Sequence, residues 1–87
     1  MNNKNILREF IFNYFLKEDA ARKLFDDDSF IDNGIIDSVG VLELVAFIEE
    51  TFGFRVEDEE IVPENFDSIA KLDVFVQSKL AVKKSSP

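Results

Sequence analysis

The side chain best placed to do chemistry is the hydroxyl of Ser38, which directly follows Asp37. The sequence contains no Cys and no His. A serine that activates itself needs a base such as histidine, and thiolate or imidazole metal sites need the missing ligands. We therefore predict that this chain has no catalytic residue of its own. If Ser38 reacts, another protein must activate it.

The acidic run between Asp26 and Asp37 resembles a calcium loop only superficially. An EF-hand loop needs oxygen ligands at its first, third and fifth positions, glycine at the sixth and glutamate at the twelfth. Counting from Asp28 puts Phe30 third and Val39 twelfth, and counting from Asp26 puts Phe30 fifth. Both registers fail, so we predict no metal ligands. No paired carboxylates are arranged for catalysis either, which makes a carboxylate-only hydrolase the least favoured function.

The charge is distributed unevenly along the 87 residues. The net charge is −8, and 14 of the 18 acidic residues lie between Leu24 and Ala70, where Arg55 is the only base. Such a surface repels nucleic acid and steers basic protein partners towards it. There is neither a signal peptide nor an apolar run of membrane-spanning length. We therefore expect a cytoplasmic protein without membrane insertion.

The elements that must position Ser38 are helices. Apolar residues at helical spacing predict a first helix over residues 3–17, with a further turn over 20–25. The loop over 26–37 contains four large hydrophobic residues that we expect to anchor it to the core. The second helix is predicted over Ser38–Phe52 and ends at Gly53. Its inward stripe consists of Val41, Leu44, Val45, Ile48 and Phe52, and the loop anchors are Phe30, Ile31, Ile35 and Ile36.

The remaining segments complete a single small domain. Residues 57–62 are predicted to form one helical turn, and Asp67 or Ser68 caps a last helix. Residues 1–82 form the domain and residues 83–87 a flexible polar tail. The predicted fold class is all-α: a bundle of three main helices plus one short helix, with a long first loop. The outward face of the second helix carries Val39, Glu43, Ala46 and Glu50, with Leu42 and Glu49 at its edge.

The run from Gly34 to Val45, followed by Ile48-Glu49-Glu50 and Phe52-Gly53, resembles the attachment region of acyl carrier proteins. The segment from residue 65 to 76 resembles the start of that family's last helix, and the likeness spans about residues 5–80. Two positions depart from the pattern, because Val39 stands where leucine is usual and Gly40 where an acid is frequent. The Asp-Ser-x-Gly sequence also resembles D-alanyl carriers and carriers that serve adenylating ligases.

The resemblance implies a function. A phosphopantetheinyl transferase would attach a 4′-phosphopantetheine arm from coenzyme A to Ser38, with Mg²⁺ in that complex. The arm would hold acyl groups for fatty-acid, lipid or secondary-metabolite biosynthesis, and the carrier would be a monomer. Basic docking patches of ligases, acyltransferases and synthases would bind the face made of Asp37, Val39, Leu42, Glu43, Ala46 and Glu50. An aminoacyl or D-alanyl carrier is the nearest alternative, and an unmodified acidic adaptor is the alternative from another class.

Overall fold

The computed structural model describes residues 3–17 and 23–85. Within these ranges it contains four α-helices, one 3₁₀ turn and no strand, which confirms the all-α prediction. The helices are α1 (Asn3–Tyr14), α2 (Ser38–Phe52), α3 (Pro63–Phe66) and α4 (Ile69–Ser85), and the 3₁₀ turn spans Asp58–Glu60.

Helix α4 is the common surface on which α1, α2 and α3 pack. Its side chains Ile69, Leu72, Phe75 and Val76 are buried. Each buried side chain of this size contributes roughly 1.5–3 kcal/mol at most. The side chains with no exposed surface come from three helices and form one cluster: Leu7, Ile11, Leu44, Ile48, Ile69, Leu72 and Val76.

Helix α1 ends earlier than predicted. Regular helix stops at Tyr14, and the amides of Phe15 and Leu16 both donate to the Ile11 carbonyl, at 2.9 and 3.2 Å. One carbonyl shared by two amides is an irregular helix end. The further turn expected over residues 20–25 is absent over 23–25, and residues 20–22 lie outside the described ranges. Leu16 and Leu24 were not assigned to the core from the sequence, but both side chains are buried.

The first loop is anchored by three of its four hydrophobic residues. Phe30, Ile35 and Ile36 are buried, but Ile31 is 53% exposed, so the prediction for Ile31 was wrong. The chain turns at this point, since the Gly34 amide donates to the Ile31 carbonyl at 3.1 Å. Two adjacent side chains in a tight turn point to different sides, and Phe30 takes the core position.

Asp67 fastens this loop to the start of α4. Its carboxylate accepts from the Ser29 hydroxyl at 2.5 Å and from the Ile31 amide at 2.9 Å, and its carbonyl accepts from the Phe30 amide at 2.9 Å. The cap of α4 is therefore Ser68, whose hydroxyl accepts from the Lys71 amide at 3.1 Å. Of the two predicted caps, the structure selects Ser68.

The segment between α2 and α4 is more helical than predicted. The expected turn over residues 57–62 is present as the 3₁₀ turn, and the four-residue α3 follows with Pro63 at its start. Helix α3 was not predicted, and it buries Phe66 against the core. Helix α4 continues through Ser85, into the segment expected to be a polar tail.

Candidate functional site

Ser38 is exposed and is the first residue of α2. Asp37 precedes the helix in an extended conformation, and its Oδ1 atom accepts from the Gly40 amide at 2.7 Å. This is the geometry of an N-cap, which satisfies one of the free amides of the first turn. Because the Asp37 carboxylate holds the helix start, Ser38 lies at the surface, where the helix dipole is positive.

Gly40 is needed for close packing beneath Ser38. It is buried, and a Cβ atom there would lie 3.0 Å from Phe15 Cε1 and 3.1 Å from Ile36 Cγ2. The glycine therefore lets the Phe15 ring approach the first turn of α2. The sequence alone shows only the cost of this glycine in helix propensity, about 0.5–1 kcal/mol relative to alanine.

An open, mostly apolar cleft begins beside Ser38. Phe15, Ile36, Val41 and Ile61 line it, and Ser38 and Asp37 lie at its rim. A cavity of about 80 Å³ adjoins the cleft; it shares Ile36, Val41 and Ile61 and reaches the buried Phe66. Apolar surface therefore continues from the neighbourhood of Ser38 towards the core.

The predicted outward face of α2 is exposed in the structure. Val39 and Leu42 are 69% and 61% exposed, so both apolar side chains lie at the surface. The exposed residues of this face are Val39, Leu42, Glu43, Ala46 and Glu50. We call them the docking face, after the role that the sequence predicts for them. Glu49, expected at its edge, is half-buried and accepts from the Val56 amide at 2.8 Å, so it stabilises the chain after α2 instead.

Tyr14 is the last residue of α1, and its side chain is 52% exposed. The Glu43 carboxylate raises the pKa of Tyr14, first through hydrogen bonding and then through its negative charge. A polar ring edge at the end of an amphipathic stripe is the signal that would have placed it at the surface. The docking face therefore has a neighbour on α1 that the sequence analysis missed.

The acidic run before α2 is bound to other parts of the chain. Asp26 contacts Lys4 at 3.3 Å and also pairs with Arg8, and the hydrogen bond from Lys4 and the two positive charges lower the pKa of Asp26. The Asp28 carboxylate accepts from the Phe25 amide at 2.9 Å. Across residues 3–17 and 23–85, no group of three or more acidic side chains is placed to hold a metal ion. None of the helices described is both long and apolar enough to cross a membrane.

The structure is a small helical bundle in which Ser38 is exposed at the start of α2, beside an apolar cleft and an outward face that carries Glu43 and Glu50. The chain is 39% identical over 57 residues to an acyl carrier protein of Buchnera aphidicola subsp. Acyrthosiphon pisum, a match that covers 66% of this chain and 69% of that protein. It is 30% identical over 66 residues to a D-alanyl carrier protein of Abiotrophia defectiva, covering 76% and 84%. No family model matches. The chain belongs to the acyl carrier protein family.

Proposed function

We propose that this protein carries acyl groups on a 4′-phosphopantetheine arm attached to Ser38 and presents them to partner enzymes. The observation that carries the proposal is the position of Ser38: it is exposed, it is the first residue of α2, and it lies at the rim of the apolar cleft. The work takes place in the cytoplasm, and the carrier acts as a monomer without catalysing a reaction itself.

The residues around Ser38 fit such an arm. The Ser38 hydroxyl is the attachment atom, and the apolar side chains of Phe15, Ile36 and Val41 offer contacts to a chain that folds back along the cleft. The arm supplies a thiol that holds the acyl group as a thioester, a chemistry that a chain without Cys lacks. Burying apolar groups of the cargo against these walls favours the loaded carrier by about 25 cal/mol for each Å² removed from water.

Activation of Ser38 must come from the transferase. Asp37 is the nearest carboxylate in sequence, but its Oδ1 atom already accepts from the Gly40 amide, and the chain has no histidine. In the transfer, Ser38 Oγ bonds to the phosphorus of the phosphopantetheine part of coenzyme A, and adenosine 3′,5′-bisphosphate leaves. The hydroxyl proton passes to a base of the transferase, whose Mg²⁺ balances the phosphate charge.

The docking face recognises the partners. Val39 and Leu42 offer apolar contact beside Ser38, and Glu43 and Glu50 offer charge to Lys or Arg side chains. Complementary rim charges of this kind accelerate association and make it sensitive to salt. A transferase, ligase, acyltransferase or synthase with a basic patch next to its active-site entrance fits this face.

A D-alanyl carrier is the second candidate, because D-alanyl carrier proteins are also among the relatives. The cleft favours acyl groups over aminoacyl groups. Its side-chain walls are mainly Phe, Ile and Val, and Asp37 is its one charged lining residue, so an ammonium group that moved into the cleft away from Asp37 would lose water without gaining a partner. A small aminoacyl group would therefore remain outside the cleft, on the exposed arm.

Intact-mass measurement tests the proposal. The protein is incubated with coenzyme A, Mg²⁺ and a broad-specificity transferase. We expect the mass of one phosphopantetheine to be added to the wild type and to Ser68→Ala, the matched control, and not to Ser38→Ala. Addition that survives in Ser38→Ala contradicts the assignment of Ser38. A wild type that stays unmodified supports the unmodified acidic adaptor instead.

A further inference from the structure

A groove lies between α1 and α2 on the surface of the bundle. Phe10 stacks on Phe47, and one turn further on Ile6 and Thr51 line the same groove. Positions fall along α1 as they rise along α2, so the two helices run antiparallel here. We call this surface the aromatic groove, and its lining residues are Ile6, Glu9, Phe10, Asn13, Phe47 and Thr51.

The floor of the aromatic groove belongs to a stack of aromatic rings. Phe10 and Phe47 stack with centroids 3.9 Å apart and planes 13° apart, and Tyr14 stacks on Phe10 with centroids 5.2 Å apart. Phe10 and Phe47 are half-buried and Tyr14 is 52% exposed, so part of this ring surface meets solvent. The face of an aromatic ring is electronegative and attracts cations. The floor is therefore apolar and also favours positive charge.

The rim of the aromatic groove is acidic. Glu9 lines the groove and is exposed, and the exposed Glu50 is one position from a lining residue of α2. The two cations of α1, Lys4 and Arg8, pair instead with Asp26 of the first loop. Within residues 3–17 and 23–85, neither glutamate takes part in an ion pair. The negative charge of the rim is therefore not neutralised by the described part of the chain.

We propose that the aromatic groove binds an arginine-bearing basic segment of a partner protein. A guanidinium group is planar, so it stacks on aromatic rings better than a compact ammonium group does, and its donors pair with carboxylates. The aliphatic stem of arginine covers apolar surface at the same time. The net charge of −8 disfavours anionic occupants such as nucleic acid or an acidic lipid surface. The arginine therefore lies over the rings, with its guanidinium group at the acidic rim.

This site goes beyond the proposed function because it lies away from Ser38. The helical rise places Phe47 about 14 Å beyond Ser38 along α2. The cleft beside Ser38 and the aromatic groove have no lining residue in common. A segment bound in the groove holds the carrier next to the partner and leaves the serine accessible. Such a tether raises the local concentration of the carrier around any enzyme linked to that segment.

Binding of two short peptides tests the site. The probes are Ala-Arg-Leu-Arg-Ala with blocked ends and the same peptide with lysine in place of both arginines, each titrated into isotope-labelled protein and followed by nuclear magnetic resonance. We expect the arginine peptide to shift the amide resonances of Glu9, Phe47 and Thr51. It should bind roughly twofold to fivefold more tightly than the lysine peptide, the range that one exposed cation–π contact provides.

Two pairs of variants locate the contact. Phe47→Leu keeps an apolar side chain and removes the ring, so the preference for arginine should disappear, whereas Phe52→Leu, in α2 but outside the groove, should keep it. Glu9→Gln should weaken binding of both peptides roughly twofold to fivefold, the range of an exposed ion pair. Glu64→Gln removes the same charge at an exposed position outside the groove and should change binding little. If Phe47→Leu does not keep its helices by circular dichroism, the Glu9 and Glu64 variants decide.

Four results would overturn the proposal. Equal binding of the two peptides by the wild type would mean that charge alone attracts them, and equal effects of Glu9→Gln and Glu64→Gln would mean the same. Shifts centred on Val39 and Leu42 would place the peptide on the docking face. Unshifted resonances at millimolar peptide would show that the groove binds no arginine. Modification of Ser38 plays no part in these measurements, so this proposal and the proposed function can fail separately.

Discussion

Two helices of this protein begin at the same dipeptide and use it differently. Asp37-Ser38 opens α2 and Asp67-Ser68 opens α4. In the first pair the aspartate is the cap and the serine is exposed. In the second pair the serine is the cap and is only 2% exposed, while the aspartate binds the first loop. The helix start is shifted by one residue between them.

The comparison shows that an Asp-Ser dipeptide does not itself mark a functional serine. The residue after each serine is a β-branched hydrocarbon, yet Val39 is 69% exposed and Ile69 is completely buried. What differs is the surface that each helix start faces. The start of α4 packs into the core and against the first loop. The start of α2 instead faces solvent and forms one end of the docking face. Only the arrangement at the start of α2 leaves a serine hydroxyl within reach of another protein.

The largest effect on stability is expected where the aspartate holds two segments together. Asp67→Ala removes two hydrogen bonds to a carboxylate, those from Ser29 and Ile31, and should lower the free energy of unfolding by about 2–3 kcal/mol. Asp37→Ala removes one N-cap and should cost about 1 kcal/mol. Urea unfolding of both variants measures the difference. Equal losses would mean that the two aspartates play equivalent structural roles.

The next largest effect concerns modification of Ser38 at the exposed start of α2. Reversing Glu43 and Glu50 to Lys should lower kcat/KM for modification of Ser38 about tenfold at low salt and less at high salt, because both charges face the partner. The matched control reverses Glu59 and Glu64, two exposed acids outside the docking face, and changes the net charge equally. Circular dichroism checks that both proteins keep their helices. A similar loss in the control would show that only the net charge matters.

Gly40 is the third residue after Asp37, and Ala70 is the third residue after Asp67. Gly40→Ala therefore makes the two helix starts alike at this position. Alanine favours the helix by about 0.5–1 kcal/mol, but its Cβ would press on Phe15 and Ile36, and such overpacking costs about 1–3 kcal/mol. We expect a net loss of about 1 kcal/mol in thermal or urea unfolding. A variant that is more stable than the wild type would show that the Phe15 ring moves aside freely.

The smallest expected effect is a pH dependence of stability that arises from Asp26, which contacts the start of α4. The carbonyl of Asp26 accepts from the Ala70 amide at 2.9 Å, and its carboxylate is paired with Lys4 and Arg8, which lowers its pKa. A lowered pKa in the folded state gives stability that is present above the unfolded value of about 4 and is lost as the pH falls through the folded value. We therefore expect Lys4→Gln to be less stable than the wild type at neutral pH. The difference in urea midpoint should shrink below about pH 4, and a difference that persists in acid would have another cause.

The sequence predicted best where both ends of a helix carry clear signals. Helix α2 was predicted residue for residue, because Asp37 caps one end and Gly53, with φ of 73°, ends the other. The exposure of its outward face followed from the spacing of its residues. The placement of Ser38 at the start of α2 was predicted for the same reason.

The differences arise where tertiary contacts decide. Helix α3 has only four residues, too few for a periodic pattern. It is stabilised by packing of Phe66 against Phe75, whose ring centroids are 5.1 Å apart. The choice of Ser68 over Asp67 as a cap depends on Ser29, 38 residues away in the chain. Local sequence contains none of these long-range distances.

The bonds made by Asp67 have a consequence for motion. They join the first loop to the start of α4, and Phe30, Ile31 and Asp67 all line the 80 Å³ cavity. Opening the cavity wall from this side therefore requires several bonds to break at once, as a cooperative unit. In hydrogen–deuterium exchange the amides of Phe30 and Ile31, which both donate to Asp67, should therefore share a single protection factor. The first loop therefore separates from the start of α4 only when these bonds break together.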